Sequence, residues 1–502
     1  MRQGSALRHP AFSVTIKFVA KLIREELLRE FEPIFYPKSV AVVGISKNIF
    51  KVGSVWLKAI IDAGFTGRVY PIHPLGGEFL GLKVYPSIKE VPGIVDYVIV
   101  SIPREAVPQL MDDCAHKVKA IHFFTAGFGE LGDTEGRKLE KELITKARQG
   151  GFRIIGPNCI GVYSPEARIP YGPSGRLGEA GSVGFISQSG GIGEKLFELG
   201  IARGIKYSKG ISFGNGIDLD SPDYIDYMAA DPKVSVVGTY LEGTKDGRRL
   251  FTSIKAAARS KPLIIWKAGR TDVGAAAAAS HTGSLASSPQ IWSAALKQCG
   301  AIEVRDVEEL TDTLLIFQQL GRLEIKGNGI AVIGGLADGG GGISVSASDA
   351  CAELGLNIPS LSPETGKKLA ALLGRVGSIL RNPVDVSQSG SNRSVIKEAT
   401  ALVLADPSID LVIVQIDAGI LLKYFPWELV EPIFNVFIEL RTEQQKPVVV
   451  VSPPGAFESQ RIEMERQLAH VAIPVFPTMK RAAQAIVNLS RYSRLRNGAG
   501  TW

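Results

Sequence analysis

Short apolar runs bounded by glycine alternate with stretches of helical spacing from Ser39 onward. SVAVVG reads as a buried strand ending at Gly44, and GSVWLKAIIDAG has helical spacing. VYPI and YVIVSIP read as strands, IHFFTAGFGE as a strand running into a glycine turn, and EGRKLEKELITKARQGG as a helix stopped by glycines. FRIIGPNCIG closes this unit near Gly161. Strands separated by helices imply a parallel sheet, which binds ligands at the carboxyl ends of its strands. The turns of interest are therefore 44–53, 73–77, 101–104, 126–130 and 156–161. The first of them, GISKNIFKVG, does not match the GxGxxG dinucleotide fingerprint.

A Pro- and Gly-rich connector, SPEARIPYGPSGRLGEAG, precedes a second unit that opens with SVGFISQSGGIGEKLFELG: strand, small-residue turn, helix. A third unit opens the same way with IAVIGGLADGGGGISVSASDACAELG. The parallel continues in order, VSVVGTYLEG with IDLVIVQIDAG and LIIWKAG with VVVVSPPG, so the two units read as copies of one α/β scaffold. The copies differ where chemistry would sit. At the matched strand end one carries Glu242 and the other Asp417, and only the second unit continues into GAAAAASHTGSLASSP, with His281 among residues of almost no side chain.

Length and composition agree with this picture. At ~100–200 residues per domain, 502 residues suggest three or so domains, and 45% apolar with 21% charged residues is globular. The net charge of +7 is spread without a long block of one sign, so no nucleic-acid partner is implied, and no apolar run is long enough to imply a membrane span. Cys114, Cys159, Cys299 and Cys351 lie far apart without CxxC spacing, as expected of reduced thiols in a cytoplasmic protein without a zinc site. Residues 1–34 form an extension with a basic segment and an amphipathic pattern, compatible with a targeting peptide or with a helix ahead of the first domain. The expected domains are 35–165, 176–325 and 328–490.

Three features of the second unit form a set. Ser187, Gln188, Ser189, Gly190 and Gly191 join a strand to a helix, whose free N–H groups and dipole suit an anion; a plain capped turn would look the same. Glu242, at a strand end, can accept the N–H of an imidazole and fix its tautomer, or simply be a solvated loop acid. His281 lies on a segment lacking bulk, where it is either a reactive imidazole or a polar loop residue. An anion cradle, a histidine and a carboxylate suit phosphoryl transfer through a phosphohistidine. A serine hydrolase would want a GxSxG elbow around Ser187 or Ser189, which is absent.

GPNCIGV, SQSGGIG, GNGIDLDSPDYIDYMAADP, YLEG and SHTGSLA together resemble the nucleoside-diphosphate-forming acyl-CoA synthetases, the superfamily of the succinyl-CoA synthetase alpha subunit, over about residues 35–490. The resemblance implies a Rossmann-like CoA-binding domain followed by two flavodoxin-like domains, the first of these bearing the phosphohistidine. It assigns His281 as the phosphorylated residue, Glu242 as its carboxylate, and Ser187, Gln188, Ser189, Gly190 and Gly191 to phosphate. For CoA it places Gly44, Ser46 and Lys47 near the phosphates, Pro74, Ser101 and Pro103 near adenine and pantetheine, and Asn158 with Cys159 near the thiol. The substrates implied are a small carboxylic acid or its acyl-CoA, with ADP or ATP and Mg2+ on an ATP-grasp beta subunit, because these 502 residues contain no counterpart of that module. A homo- or hetero-oligomer is expected. Two other readings stay open: a non-catalytic CoA-binding or regulatory subunit, suggested by the turns IHPLGG and GGLADGGGG, and a nicotinamide oxidoreductase resting on the first domain alone.

Overall fold

Apolar and β-branched runs buried on both faces become the central strands of parallel sheets, as Val95–Val100 and Val236–Leu241 illustrate with every residue buried. The computed structural model describes residues 10–275, 288–323, 327–336, 341–374, 379–387, 392–443 and 446–496. The chain divides into two compact units, the first ending at Glu303 and the second beginning at Val304, with Glu198–Ile205 belonging to the second.

The first sheet comprises β1 (Ser39–Val43), β2 (Arg68–Ile72), β5 (Val95–Val100), β6 (Val118–Phe123) and β7 (Arg153–Ile155), all parallel, in the order β2-β1-β5-β6-β7. A small hairpin of β3 (Gly77–Phe79) and β4 (Leu82–Val84) stands apart from it. The second sheet comprises β8 (Gly161–Tyr163), β9 (Val183–Ser187), β10 (Tyr207–Ser212), β11 (Val236–Leu241), β12 (Leu263–Lys267) and β13 (Ile302–Val304), in the order β13-β12-β11-β9-β10-β8. β8, which the sequence reading put at the close of the first unit, pairs antiparallel with β10 and forms the edge of this second sheet.

The second compact unit holds β14 (Ile330–Leu336), β15 (Val384–Asp385), β16 (Leu411–Ile416), β17 (Val448–Val451) and β18 (Val475–Phe476), in the order β15-β14-β16-β17-β18. Setting β8 and the hairpin aside, all three sheets share the strand order 2-1-3-4-5, that of flavodoxin-like folds. The matched runs occupy equal places: β9 and β14 are first, β11 and β16 third, β12 and β17 fourth. The duplication read in the sequence is thus a duplication of topology, and the first sheet shares it.

The described end of the N-terminal extension packs onto the fold. Helix Pro10–Phe35 ends with Phe31, Ile34 and Phe35 fully buried in the main core. Phe31 and Phe35 stack on Tyr227 at centroid distances of 4.6 and 4.8 Å, and Arg24 Nε donates to Ala230 O at 2.7 Å. Aromatic pairs of this kind add ~0.5–1.5 kcal/mol beyond area burial. Beside them Lys209, fully buried, forms an ion pair with Asp231 and donates to the hydroxyls of Tyr36 and Tyr227, which satisfies a charge that would otherwise be costly there. Among the described residues no helix is long and apolar enough to cross a membrane.

Candidate active site

In a sheet of order 2-1-3-4-5 the loops leaving strands 1 and 3 part to opposite sides, opening a crevice at their carboxyl ends. In the second sheet those strands are β9 and β11, which run in parallel register with Ser187 opposite Tyr240. Gln188 N donates to Tyr240 O at 3.0 Å. The Gln188 side chain closes the crevice floor: its Oε1 accepts Glu242 N at 2.8 Å and Gly243 N at 3.1 Å. The cradle and the carboxylate, 54 residues apart in sequence, are therefore joined directly.

Helix Gly190–Ala202 begins here. Ser189 Oγ accepts Ile192 N at 3.4 Å, and the first-turn N–H groups of Gly190 and Gly191 have no acceptor within the helix. Gly193 is required one turn on, since a Cβ there would lie 2.2 Å from Tyr171 Oη. Ser187 behaves differently from its neighbours: it is buried, and its hydroxyl donates to Ser189 O at 2.6 Å, shaping the turn rather than facing open space.

Glu242 is 8% exposed, and its Oε1 accepts the Tyr240 hydroxyl at 3.2 Å. Burial and the neighbouring carboxylate push the Tyr240 phenol up, so it stays a donor. Lys267 Nζ donates to the main-chain oxygens of Glu242, at 2.8 Å, and Ala268, pinning the strand end from behind. Burial holds its ammonium below the ordinary lysine range, with Glu242 opposing.

These groups line a cavity of about 890 Å³. Gln188, Ser189, Gly190, Gly191 and Glu242 line it together with Asn158 and Cys159. Asn158 adopts φ 60°, with its N–H on Thr125 O at 3.1 Å. The Cys159 thiol is buried beneath, 3.7 Å from Phe123 O, and burial pushes it far up, so it packs as a neutral group. His122, fully buried, stacks on Tyr97 at 6.0 Å and donates from Nε2 to Cys159 O at 3.0 Å; burial lowers its pKa to about 4, which keeps the ring neutral.

Six further lining residues were not singled out as chemistry by the motifs: Glu130, Asn215, Asp220 and Lys245 from loops, and Arg137 and Glu140 from helix Thr134–Gly150. Glu130 accepts Gly127 N at 2.6 Å and Phe128 N at 3.1 Å, and Glu140 accepts Gly129 N at 3.1 Å. Asn215 Nδ2 donates to both carboxylates, at 2.5 and 2.9 Å, tying the turn after β6 and helix Thr134–Gly150 to the turn after β10. The signals in sequence were the strand-end turn AGFGE and the run GNGID, each visible alone but not as a pair.

The other assigned residues lie at the carboxyl end of the first sheet, outside this cavity lining. Gly44 has φ 97°, and a Cβ on it would lie 2.5 Å from Ser101 O, so only glycine lets the ends of β1 and β5 approach so closely. Ser46 is built into the turn: its N–H donates to Ser54 Oγ at 2.8 Å, and its own Oγ accepts Asn48 N at 3.2 Å. Lys47, Pro74 and Pro103 are exposed. Ser101 Oγ is buried without a partner among the described residues, as a ligand-facing hydroxyl would be before its ligand arrives. Helix Val52–Asp62 starts there with no side-chain cap, and Phe50 and Leu75, 84% and 85% exposed, rise from the turns after β1 and β2. Free helix N–H groups, Lys47 and an apolar rim fit a molecule that is anionic at one end and apolar along its length. His281 lies outside the described residues. Among those described, no cluster of three His, Cys, Asp or Glu could hold a metal ion.

Three family models match the chain: a CoA binding domain over residues 38–165, a succinyl-CoA ligase-like flavodoxin domain over 180–317, and a ligase-CoA domain over 332–498. Among curated proteins, the chain is 36% identical over 470 residues to the alpha subunit of acetate–CoA ligase (ADP-forming) I of Pyrococcus furiosus, covering 92% of this chain and 98% of that one. It is 34% identical to acetate–CoA ligase (ADP-forming) I of Archaeoglobus fulgidus, covering 92% of this chain but 64% of that longer one. Among solved structures, a dinucleotide-forming acetyl-coenzyme A synthetase 1 of Ca. Korarchaeum cryptofilum, in complex with phosphate and ADP, matches with a TM-score of 0.81 at 33% identity over 93% of this chain and 97% of that one.

Proposed function

Because the chain belongs to the ADP-forming acetate–CoA ligase family, we propose that it is an alpha-type subunit of an acyl-CoA synthetase, interconverting acyl-CoA, phosphate and ADP with carboxylic acid, CoA and ATP. The observation that carries this reading is the single cavity in which the Gly190–Gly191 helix start, Glu242 and the Asn158 turn meet. Phosphate attacks the acyl carbonyl of acyl-CoA, the C–S bond breaks, and CoA leaves as acyl phosphate forms. An imidazole nitrogen of His281 then takes the phosphoryl group and releases the carboxylate. Phosphohistidine finally passes the group to ADP, restoring the imidazole.

In this scheme the N–H groups of Gly190 and Gly191 hold the phosphoryl oxygens, and Glu242 accepts the second imidazole N–H, stabilising its positive charge. Gln188 and Lys267 keep that carboxylate in place. Gly44, Ser46, Lys47, Pro74, Ser101 and Pro103 hold CoA, with Ser101 Oγ as the hydroxyl that gains a partner. Asn158 and the neutral Cys159 border the thioester without acting as nucleophiles.

A partner with an ATP-grasp module supplies the ADP and Mg2+ site. The alpha-subunit name of one relative and the greater length of another support this. Four buried, unbridged cysteines support a reducing, cytoplasmic setting. The test is ATP- and CoA-dependent thioester formation with the partner subunit, over a panel of small acids beginning with acetate. Wild type is expected to turn over and His281→Ala to lose turnover while still binding CoA. CoA binding with no turnover on any acid would support the regulatory reading instead.

A further inference from the structure

The cavity has a charge problem that backbone N–H groups alone do not solve. Its lining holds four carboxylates, Glu130, Glu140, Asp220 and Glu242, against two cations, Arg137 and Lys245. A phosphoryl dianion entering such a space is repelled unless a cation faces it. Glu130 and Glu140 are engaged with turn N–H groups and Asn215, which hold their carboxylates in place on the lining. Arg137, on the first turn of helix Thr134–Gly150, is exposed and turns back to donate to Gly132 O at 2.7 Å.

Lys245 is placed otherwise. It lies three residues beyond Glu242, on the loop that leaves the same strand end, and lines the cavity with Gln188, Ser189, Gly190 and Gly191. Its Nζ donates to Gly216 O at 2.9 Å, and among the described residues no carboxylate lies within ion-pair distance of it. An ammonium has three donors, so two are left for a ligand. The side chain is open to water yet surrounded by protein. The protein around the ammonium lowers its pKa, with Glu140 and Asp220 opposing.

We infer that Lys245 is the side-chain cation of this cavity, contacting the phosphoryl oxygens of the phosphate or acyl phosphate held at the Gly190–Gly191 helix start. The inference rests on the cavity being the phosphoryl site of the ligase reaction, and it adds a residue that no motif pointed to. Gly216 O accepts from the ammonium itself, so the group is held in place with its other N–H donors to spare. A charge-assisted hydrogen bond of this type corresponds to roughly tenfold or more in affinity.

Equilibrium dialysis of the full chain with radiolabelled inorganic phosphate, and with acetyl phosphate as competitor, tests this. Lys245→Met is expected to weaken phosphate binding about tenfold or more and to weaken acetyl phosphate competition in proportion, with CoA affinity unchanged; Lys245→Arg, which keeps the charge, is expected to stay within about threefold of wild type. Phosphate affinity in Lys245→Met within about twofold of wild type overturns the inference, as does an arginine variant as weak as the methionine one. Failure of the wild-type chain to bind phosphate overturns it as well. Lys245-dependent phosphate binding in a chain whose His281 never carries phosphate would keep this inference and sink the catalytic reading. Phosphorylation of His281 with no dependence on Lys245 would sink this inference alone.

Discussion

The second and third sheets share one strand order and part company at the end of their third strands. In the third sheet Asp417 follows β16 and at once caps helix Ala418–Tyr424, its Oδ1 accepting Ile420 N at 3.0 Å. In the second sheet residues 243–246 intervene after Glu242, and Asp246 caps helix Gly247–Ser260 by accepting Arg249 N at 2.9 Å. Moving the cap four residues along leaves the Glu242 carboxylate on a cavity wall beside Tyr240 instead of on a helix end. The same loop carries Lys245. One scaffold thus yields a helix-capping acid in one copy and a cavity-lining acid, chemical in the proposed function, in the other, and the difference is made by loop length rather than by the sheet.

That contrast breaks if the two acids behave alike. Glu242→Gln removes the charge while keeping the shape, and the expected loss is about 100-fold in ligase turnover at unchanged melting temperature. A drop below threefold would mean that the carboxylate does not face the reacting histidine.

The next largest effect concerns pH and only the cavity side. His122 is neutral when folded, with a pKa lowered to about 4 by burial, against about 6.5 in the unfolded chain. The unfolded state therefore binds more protons between these values, and stability falls as pH drops from about 6.5 to about 4, by up to roughly 3 kcal/mol in all. Melting temperatures across this range should fall more steeply for wild type than for His122→Asn. Parallel curves would show that the ring does not carry the pH dependence.

A smaller effect, about tenfold in turnover, is expected for Gln188→Ala, which strands the N–H groups of Glu242 and Gly243 and loosens the carboxylate. The smallest is Asp417→Ala, which should cost about 1 kcal/mol in denaturant unfolding, the usual worth of an N-cap, and leave turnover untouched. Lost activity in that variant would erase the distinction between the copies.

Much of this was legible in the chain. The apolar runs of β9, β11 and β12 and their matches β14, β16 and β17 are long and glycine-bounded, so both the parallel sheets and the duplication could be read. Three-residue β8 has too few positions to declare its sheet, and its antiparallel pairing depends on β10, where the partner of Val162 is Ile211. The docking of the N-terminal helix was hidden for a similar reason, since Phe31 and Phe35 find Tyr227 only in the folded chain. In the site, Glu242 and the SQSGG turn stood out because each sits at a strand end. Asn215, Glu130 and Glu140 did not, because two turns and helix Thr134–Gly150 must come together before one amide can reach two carboxylates. Ser187 shows the opposite limit: its place in the motif suggested a phosphate ligand, while its hydroxyl is turned onto Ser189 O.

The most direct measurement is to locate the phosphate. The full chain is incubated with labelled phosphate and the acyl-CoA of the preferred acid, digested with trypsin, and its peptides separated at alkaline pH. The account predicts acid-labile, base-stable label in the peptide 271–297, which contains His281 as its one histidine, and none from the third unit. Label on a third-unit peptide, or equal labelling in His281→Ala, would contradict it.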